Sequence, residues 1–225
     1  MTSSPRFTPV SDHAVLAELG DSIDADLHTE VLRLDGALAA DPVPGMIEAV
    51  PAYANLLVTF DPLATDHGAV AEALAALLDR PAAPAGQATA REVEVCYDAD
   101  LAPDLGDVAR QTGLSEEEVI AAHLAGDYRV YLYGFAPGYA YMAGVPAPIR
   151  LPRKAAAKRD VPAGSVIIAG PQCLVTTITM PTGWWIIGRS PTRILTGDEE
   201  RPFLFDVGDP VRFRRISRDR FEART

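Results

Sequence analysis

"YRVYLYGFAPGYAYMAG" fills residues 128–144 and marks a change of texture in the chain. From Tyr128 onward, short β-prone runs follow one another, each cut off by Gly or Pro. They are "YRVYLYGF", "GSVIIAG", "QCLVTTITM", "GWWIIG", "PFLFDVG" and "VRFRRIS". Many short strands with regular punctuation predict a closed or nearly closed β structure. Just upstream, "REVEVCYD" alternates as a strand, and "DLGDVARQTG" and "SEEEVIAAHLAG" read as short helices. The second helix opens with Ser115 and Glu118 in capping-box spacing.

The first eighty residues read differently. "FTPVSDHAVLAELG" suggests two strands about a turn at Ser11-Asp12. In "SIDADLHTEVLRLDGALAA" the residues Ile23, Leu27, Val31, Leu34 and Leu38 share a helical face, with Ser22 or Asp21 as cap. "MIEAVPAYANLLVTFDP" reads as two β pieces around Pro51, and "DHGAVAEALAALLDR" as a second helix. Two strands, helix, two strands, helix predicts an α+β layer pair with the helices on one face. The uncharged "PAAPAGQATA" (81–90) is a plausible linker. The expected domains are an α+β domain over 1–84 and a mainly β domain over 85–225.

Composition narrows the function. Net charge is -11 at pH 7, with 13 acidic and 3 basic side chains in residues 1–90 against 18 and 17 in residues 91–225. An acidic first half argues against general nucleic-acid binding, which needs phosphate-neutralising cations. The opening lacks a basic flank followed by an apolar run, and no run approaches the ~20 residues that span a bilayer. With Cys96 and Cys173 far apart and no CxxC, both are expected to be reduced and buried in a cytoplasmic protein. No phosphate loop, GxGxxG, HExxH or GxSxG is present, and His13, His28, His67 and His123 are isolated, so no metal site is expected. Cations concentrate in "IRLPRKAAAKR" (149–159) and "RFRRISRDR" (212–220), the second read as a solvated basic face.

The segments "YRVYLYGFAPGYAYMAG", "LPRKAAAKRDVPAGSVIIAG", "GWWIIGRSP" and "VGDPVRF" together resemble the family of 5-oxoprolinase B subunits, also known as allophanate hydrolase subunit 1 or as inhibitors of a sporulation histidine kinase. "GLSEEEVIAAH" and, less specifically, "SDHAVLAELG" and "VPAYANLLVTFDP" extend the resemblance over nearly the whole chain. The resemblance implies a ferredoxin-like N-terminal domain followed by a cyclophilin-like β-barrel. It implies a homologous C-type partner, with a third hydrolase component or a biotin carrier as further partners. It also implies ATP as a co-substrate of the complex, or carboxybiotin if the chain is a carboxyltransferase component of a urea carboxylase-like system, with no tightly bound cofactor. The favoured activity is ATP-dependent activation and hydrolysis of a cyclic amide, urea or allophanate by a complex, the chain being inactive alone. The rival readings are a protein-binding regulator of a histidine kinase and a prolyl isomerase. Departures from the family pattern fall at Gln172-Cys173-Leu174, Lys158-Arg159 and Thr182-Gly183-Trp184.

Within these motifs, Gly134, Pro137 and Gly138 read as a turn, and Phe135 as core. Tyr139 and Tyr141 share a face if extended, with hydroxyls able to reach a ligand. Arg153 offers a planar fork to a carboxylate or phosphate, with Lys158 and Arg159 adding charge, and a solvated loop is the competing reading. Ser165 reads as a turn hydroxyl or a catalytic one. Gln172 suits an amide edge, and Arg189 is a ligand contact or the partner of an acid. His123, if open to solvent, is the best general base, and otherwise a core histidine. Trp184 and Trp185 point to opposite faces, so at most one lines a site. Residues 133–154 are expected to form one wall of an anion-accepting cleft, with the strand after Ser165 opposite.

Overall fold

The computed structural model describes residues 5–80 and 88–224. The chain divides into two compact units, Met1–Gln87 and Ala88–Thr225. The expected boundary after residue 84, and residues 81–87 of the Pro/Ala/Gly stretch, lie outside the described residues. Among the described residues no helix is long and apolar enough to cross a membrane.

In the first unit, β1 (Arg6–Ser11) and β2 (Ala14–Glu18) form a hairpin, followed by α1 (Ala25–Ala40), β3 (Met46–Ala52), β4 (Asn55–Phe60) and α2 (His67–Leu78). The sheet order is β1-β2-β4-β3, all antiparallel. Alternation on β4 sends Leu56, Val58 and Phe60 into one core with Val31, Leu34 and Leu38 of α1 and Val70, Leu74 and Leu77 of α2. Two details differ from expectation. The cap of α1 is Asp24, whose carboxylate accepts from the backbone N–H of Asp26 and Leu27, so Ile23 lies outside the helix. Pro51 sits inside β3 because β3 is an edge strand, where a missing N–H costs no ladder bond. The chain turns instead at Tyr53, at φ +50°.

The second unit starts on a buried acid. Asp209 is 2% exposed and accepts from Thr89 N–H and Arg91 Nε, both at 2.8 Å. There follow β5 (Arg91–Val95), α3 (Leu105–Thr112), α4 (Glu116–Leu124), β6 (Tyr128–Tyr133), β7 (Ala140–Ala143), β8 (Lys158–Val161), β9 (Ser165–Ala169), β10 (Gln172–Val175), β11 (Met180–Thr182), β12 (Trp185–Arg189), β13 (Pro210–Arg215) and α5 (Arg218–Glu222). Ser115 and Glu118 make the expected capping box on α4. Seven strands form one mixed sheet in the order β12-β9-β10-β7-β6-β13-β5, with only β5 and β13 parallel. Its two edges meet: Cys96, just past β5, exchanges backbone bonds of 2.8 and 2.9 Å with Arg189 at the end of β12. The sheet is thereby nearly closed into a barrel, as the strand texture predicts. "QCLVTTITM" splits into β10 and β11, and "PFLFDVG" contributes only a single bridge, Leu195–Phe203.

The run 212–220 is no simple solvated face. Arg214 pairs with Glu92, Arg215 with Glu117, Arg218 with Asp100, and Arg220 with Glu94. These pairs tie β13 and α5 back onto β5, α4 and the loop before α3.

The seam demands a small residue. A β bulge falls between Ile186 and Gly188, and a Cβ on Gly188 would lie 2.6 Å from Val95 Cγ1 and 3.2 Å from the Cys96 carbonyl oxygen. Gly188→Ala should therefore lower unfolding stability by about 1–3 kcal/mol, as overpacking does, which a urea titration measures. A fragment starting at Ala88 should melt cooperatively, whereas one starting at Glu92 strips Asp209 of Thr89 and Arg91. The second fragment should be less stable by roughly 3–5 kcal/mol, the usual cost of stranding a buried charge.

Candidate functional site

A tight loop leads from β6 into β7. Gly134 N–H donates to Tyr139 C=O at 3.2 Å, Tyr139 N–H to Ala136 C=O at 3.0 Å, and Thr177 Oγ1 to Pro137 C=O at 2.7 Å. Gly138 holds φ +71° there, and a Cβ would lie 2.7 Å from Leu195 Cδ2. The loop delivers Tyr139 and Tyr141 to one face. Ile167 on β9 and Leu174 on β10 are directly paired and bring their side chains to the same place.

Arg153 arrives on a pinned segment. Pro152 C=O accepts the Trp185 indole N–H at 2.8 Å, and Lys154 N–H donates to Gly183 C=O at 2.7 Å. The Lys154 ammonium reaches Asp104 Oδ2 at 2.6 Å, and the same oxygen accepts from Ile186 N–H at 2.8 Å. Arg153 thus lies between two fixed neighbours, its guanidinium carbon 5.5 Å from the centre of the Trp184 ring, within cation–π range.

The resulting cleft has a volume of about 150 Å³. Four sequence-predicted residues, Tyr139, Tyr141, Arg153 and Trp184, line it together with Ile167, Leu174, Pro181, Thr182 and Gly183. The rings form a chain: Tyr139 to Tyr141 at 6.1 Å and Tyr141 to Trp184 at 5.9 Å between centroids. Phe135 joins it at 5.6 Å from Tyr139 but is 75% exposed and has φ +73°, so it stands at the rim rather than in the core. Burial pushes both phenols above their ordinary range, and Arg153 partly opposes this at Tyr141. At neutral pH both are donors. The ionisable groups among the lining residues are thus one arginine and two protonated phenols, all of them hydrogen-bond donors. None of the lining residues is a carboxylate, histidine or cysteine.

The other predicted residues lie elsewhere. His123 does not meet the condition of solvent access: it is 0% exposed, with Nδ1 2.7 Å from Tyr97 Oη and Nε2 3.6 Å from Cys173 Sγ. Phe213 and Tyr128 pack against its ring. Cys173 and Leu174 alternate on β10, so the sheet separates the histidine from the cleft. Ser165 is buried, and its hydroxyl donates to Pro162 C=O at 2.8 Å, holding the turn into β9. Gln172 shares the Leu174 face two pairs along the β9–β10 ladder but does not line the cleft. Arg159 is exposed on β8, in the two-stranded sheet with β11. Arg189 belongs to the seam, its Nε donating to Ala163 C=O at 3.2 Å. Asp104, Pro152, Lys154 and Trp185, which position Arg153, were not foreseeable as a group. Nothing local links Asp104 to a lysine fifty positions later.

Burial lowers the His123 pKa to about 3, against ~6.5 in an unfolded chain. The unfolded state therefore binds the extra proton. The stabilising difference is fully present above pH ~6.5 and declines by about 1.4 kcal/mol per pH unit below it, until the folded value is reached. Between pH 6.5 and 5 the chain should lose about 2 kcal/mol that a His123→Gln variant does not lose, read from paired urea midpoints.

The family "carboxyltransferase domain, subdomain C and D" matches residues 5–205. The B subunit of 5-oxoprolinase from Bacillus subtilis (strain 168) is 34% identical over 239 residues, covering 99% of this chain and 98% of its own. A crystal structure of TTHA0988 matches with a TM-score of 0.79 and 34% identity, over 92% of this chain and 40% of that one, so this chain spans under half of that protein. The Kluyveromyces lactis urea carboxylase shares the fold, with a TM-score of 0.76 at 15% identity over 97% of this chain and 22% of that one.

Proposed function

We propose a function from one premise: this chain belongs to the carboxyltransferase domain family, subdomains C and D, and it acts as one subunit of a 5-oxoprolinase-type complex. Its task there is to seat a small cyclic amide and stabilise the anionic oxygen that forms when the amide is activated. The observation that carries this is the convergence of Arg153 with the phenols of Tyr139 and Tyr141 on one small cleft. Preorganised donors aimed at developing negative charge are usually the largest single contribution to such a step. Support for 5-oxoproline comes from three relatives, each named as the B subunit of 5-oxoprolinase. A carboxyltransferase role toward a urea-like substrate is the second reading, favoured by the family description and the urea carboxylase fold.

The cleft supplies no general base, and at about 150 Å³ it is below the roughly 300–1,000 Å³ typical of pockets for drug-sized ligands. It does not fit a nucleotide or a carboxybiotin as a whole. ATP, if the complex uses it, is then held largely outside this cleft, and the hydrolytic proton transfers belong to partners. A homologous C-type protein is the expected partner, in the cytoplasm. The first unit is read as a ferredoxin-like sheet whose edge strand enters from the N-terminus, and the second as a cyclophilin-like barrel.

Two assays test this. The purified chain alone should not turn over 5-oxoproline with ATP, whereas the complex reconstituted with its partners should. In that complex Arg153→Ala should lower turnover ten- to a hundredfold, since a charge-assisted contact contributes about 1.5–3 kcal/mol at ~1.4 kcal/mol per decade. Arg153→Lys keeps the charge but loses the fork and should fall between. Full activity in both variants, with unchanged melting temperature and partner binding, would return Arg153 to the status of a solvated loop residue.

A further inference from the structure

A second concave region lies on the barrel unit and shares no lining residue with the Arg153 cleft. It is a groove of about 550 Å³ between the turn at Ala163–Gly164, the segment Thr176–Thr177 and the loop Ser190–Leu195, with Arg224 at its side. Among the described residues its ionisable lining groups are Arg193 and Arg224, with no carboxylate.

The adjoining cleft explains how the arginines are held. It shares Pro191, Thr192, Arg193 and Arg224 with the groove and adds Glu92, Glu94 and Arg214. Glu94 is 4% exposed, and three guanidiniums crowd it: Arg214, Arg220 at 2.7 Å and Arg224 at 2.8 Å. Glu92 takes Arg214 Nε at 2.7 Å. Four arginines thus face two carboxylates, leaving the patch locally positive on a chain of net charge -11. Screening over ~8 Å at physiological salt lets that local excess, rather than the net charge, govern a ligand in contact. Arg214 and Arg220 both donate to Glu94 Oε1, and Arg224 stands within ion-pair range of Oε2. Arg224 gives Glu94 one contact of its five-donor fork, and exposed Arg193 makes no ion pair among the described residues.

We propose that this groove binds a small oxyanion bearing more than one negative charge, of the phosphate or carboxylate class, held by the forks of Arg193 and Arg224. The volume suits a small molecule, and the planar fork matches either oxyanion in bidentate fashion. The site is independent of the function assigned to the Arg153 cleft, and its test reads binding rather than turnover.

Calorimetric titration of the full chain with inorganic pyrophosphate and, separately, citrate distinguishes the two ligand sources. At least one should bind saturably at one site per chain, and the arm that binds identifies the chemistry. Arg193→Ala should weaken that binding by about tenfold or more, Arg193→Lys less, and Arg153→Ala not at all. Arg193 is exposed and makes no ion pair among the described residues, so its variants should keep the wild-type melting temperature. Arg224→Ala gives a second reading, with Arg220 and Arg214 still on Glu94. No saturable binding of either probe, or binding unchanged in Arg193→Ala, overturns the proposal. So does binding of an acidic peptide alone, which would make the patch a protein contact.

Discussion

Everything in the second unit depends on the meeting of two backbones at Cys96 and Arg189. One antiparallel bridge joins the ends of a seven-stranded sheet, and the approach is close enough that Gly188 leaves no room for a side chain beside Val95. An open sheet of seven strands would expose two edges with unpaired N–H and C=O groups. Closure removes most of that liability and fixes the curvature that brings β7, β9, β10 and the residues before β12 around one cleft.

Charge is handled differently in the barrel's interior and on its surface. Inside, His123 is kept neutral between Tyr97 and Cys173, so the core carries a polar relay without a net charge. At the outer wall, Glu94 remains ionised: burial pushes its carboxyl upward, but Arg220, Arg224 and Arg214 outweigh that and hold it below the ordinary carboxylate range. A buried carboxylate in that position acts as an organiser of guanidiniums, and breaking it would scatter three arginines at once.

Much of this was legible in the sequence because it is local. Strand texture after Tyr128, the Ser115–Glu118 box and the helical faces of α1 and α2 depend on spacing over a few residues. Tyr139 and Tyr141 could be assigned to one face by alternation, and Trp184 separated from Trp185 by the same rule. What was not legible needed distant parts of the chain. Phe135 looks like core by composition, yet a left-handed backbone turns it outward. The basic run at 212–220 looks solvated until β5 is placed in parallel beside β13. His123 is ambiguous until Cys173, fifty residues on, closes over it.

Asp104 links the start of α3 to the segment that carries Arg153. Its backbone N–H donates to Ile186 C=O at 3.0 Å, and its carboxylate holds both Ile186 N–H and Lys154. The conformational freedom of the segment carrying Arg153 is therefore removed during folding rather than at ligand capture. By linkage, a ligand that favours the pinned segment must also favour the closed state of this joint. A ligand of the proposed kind would then be written into the hydrogen-exchange rate of the Ile186 amide, two residues along the chain from the Trp184 that lines the cleft.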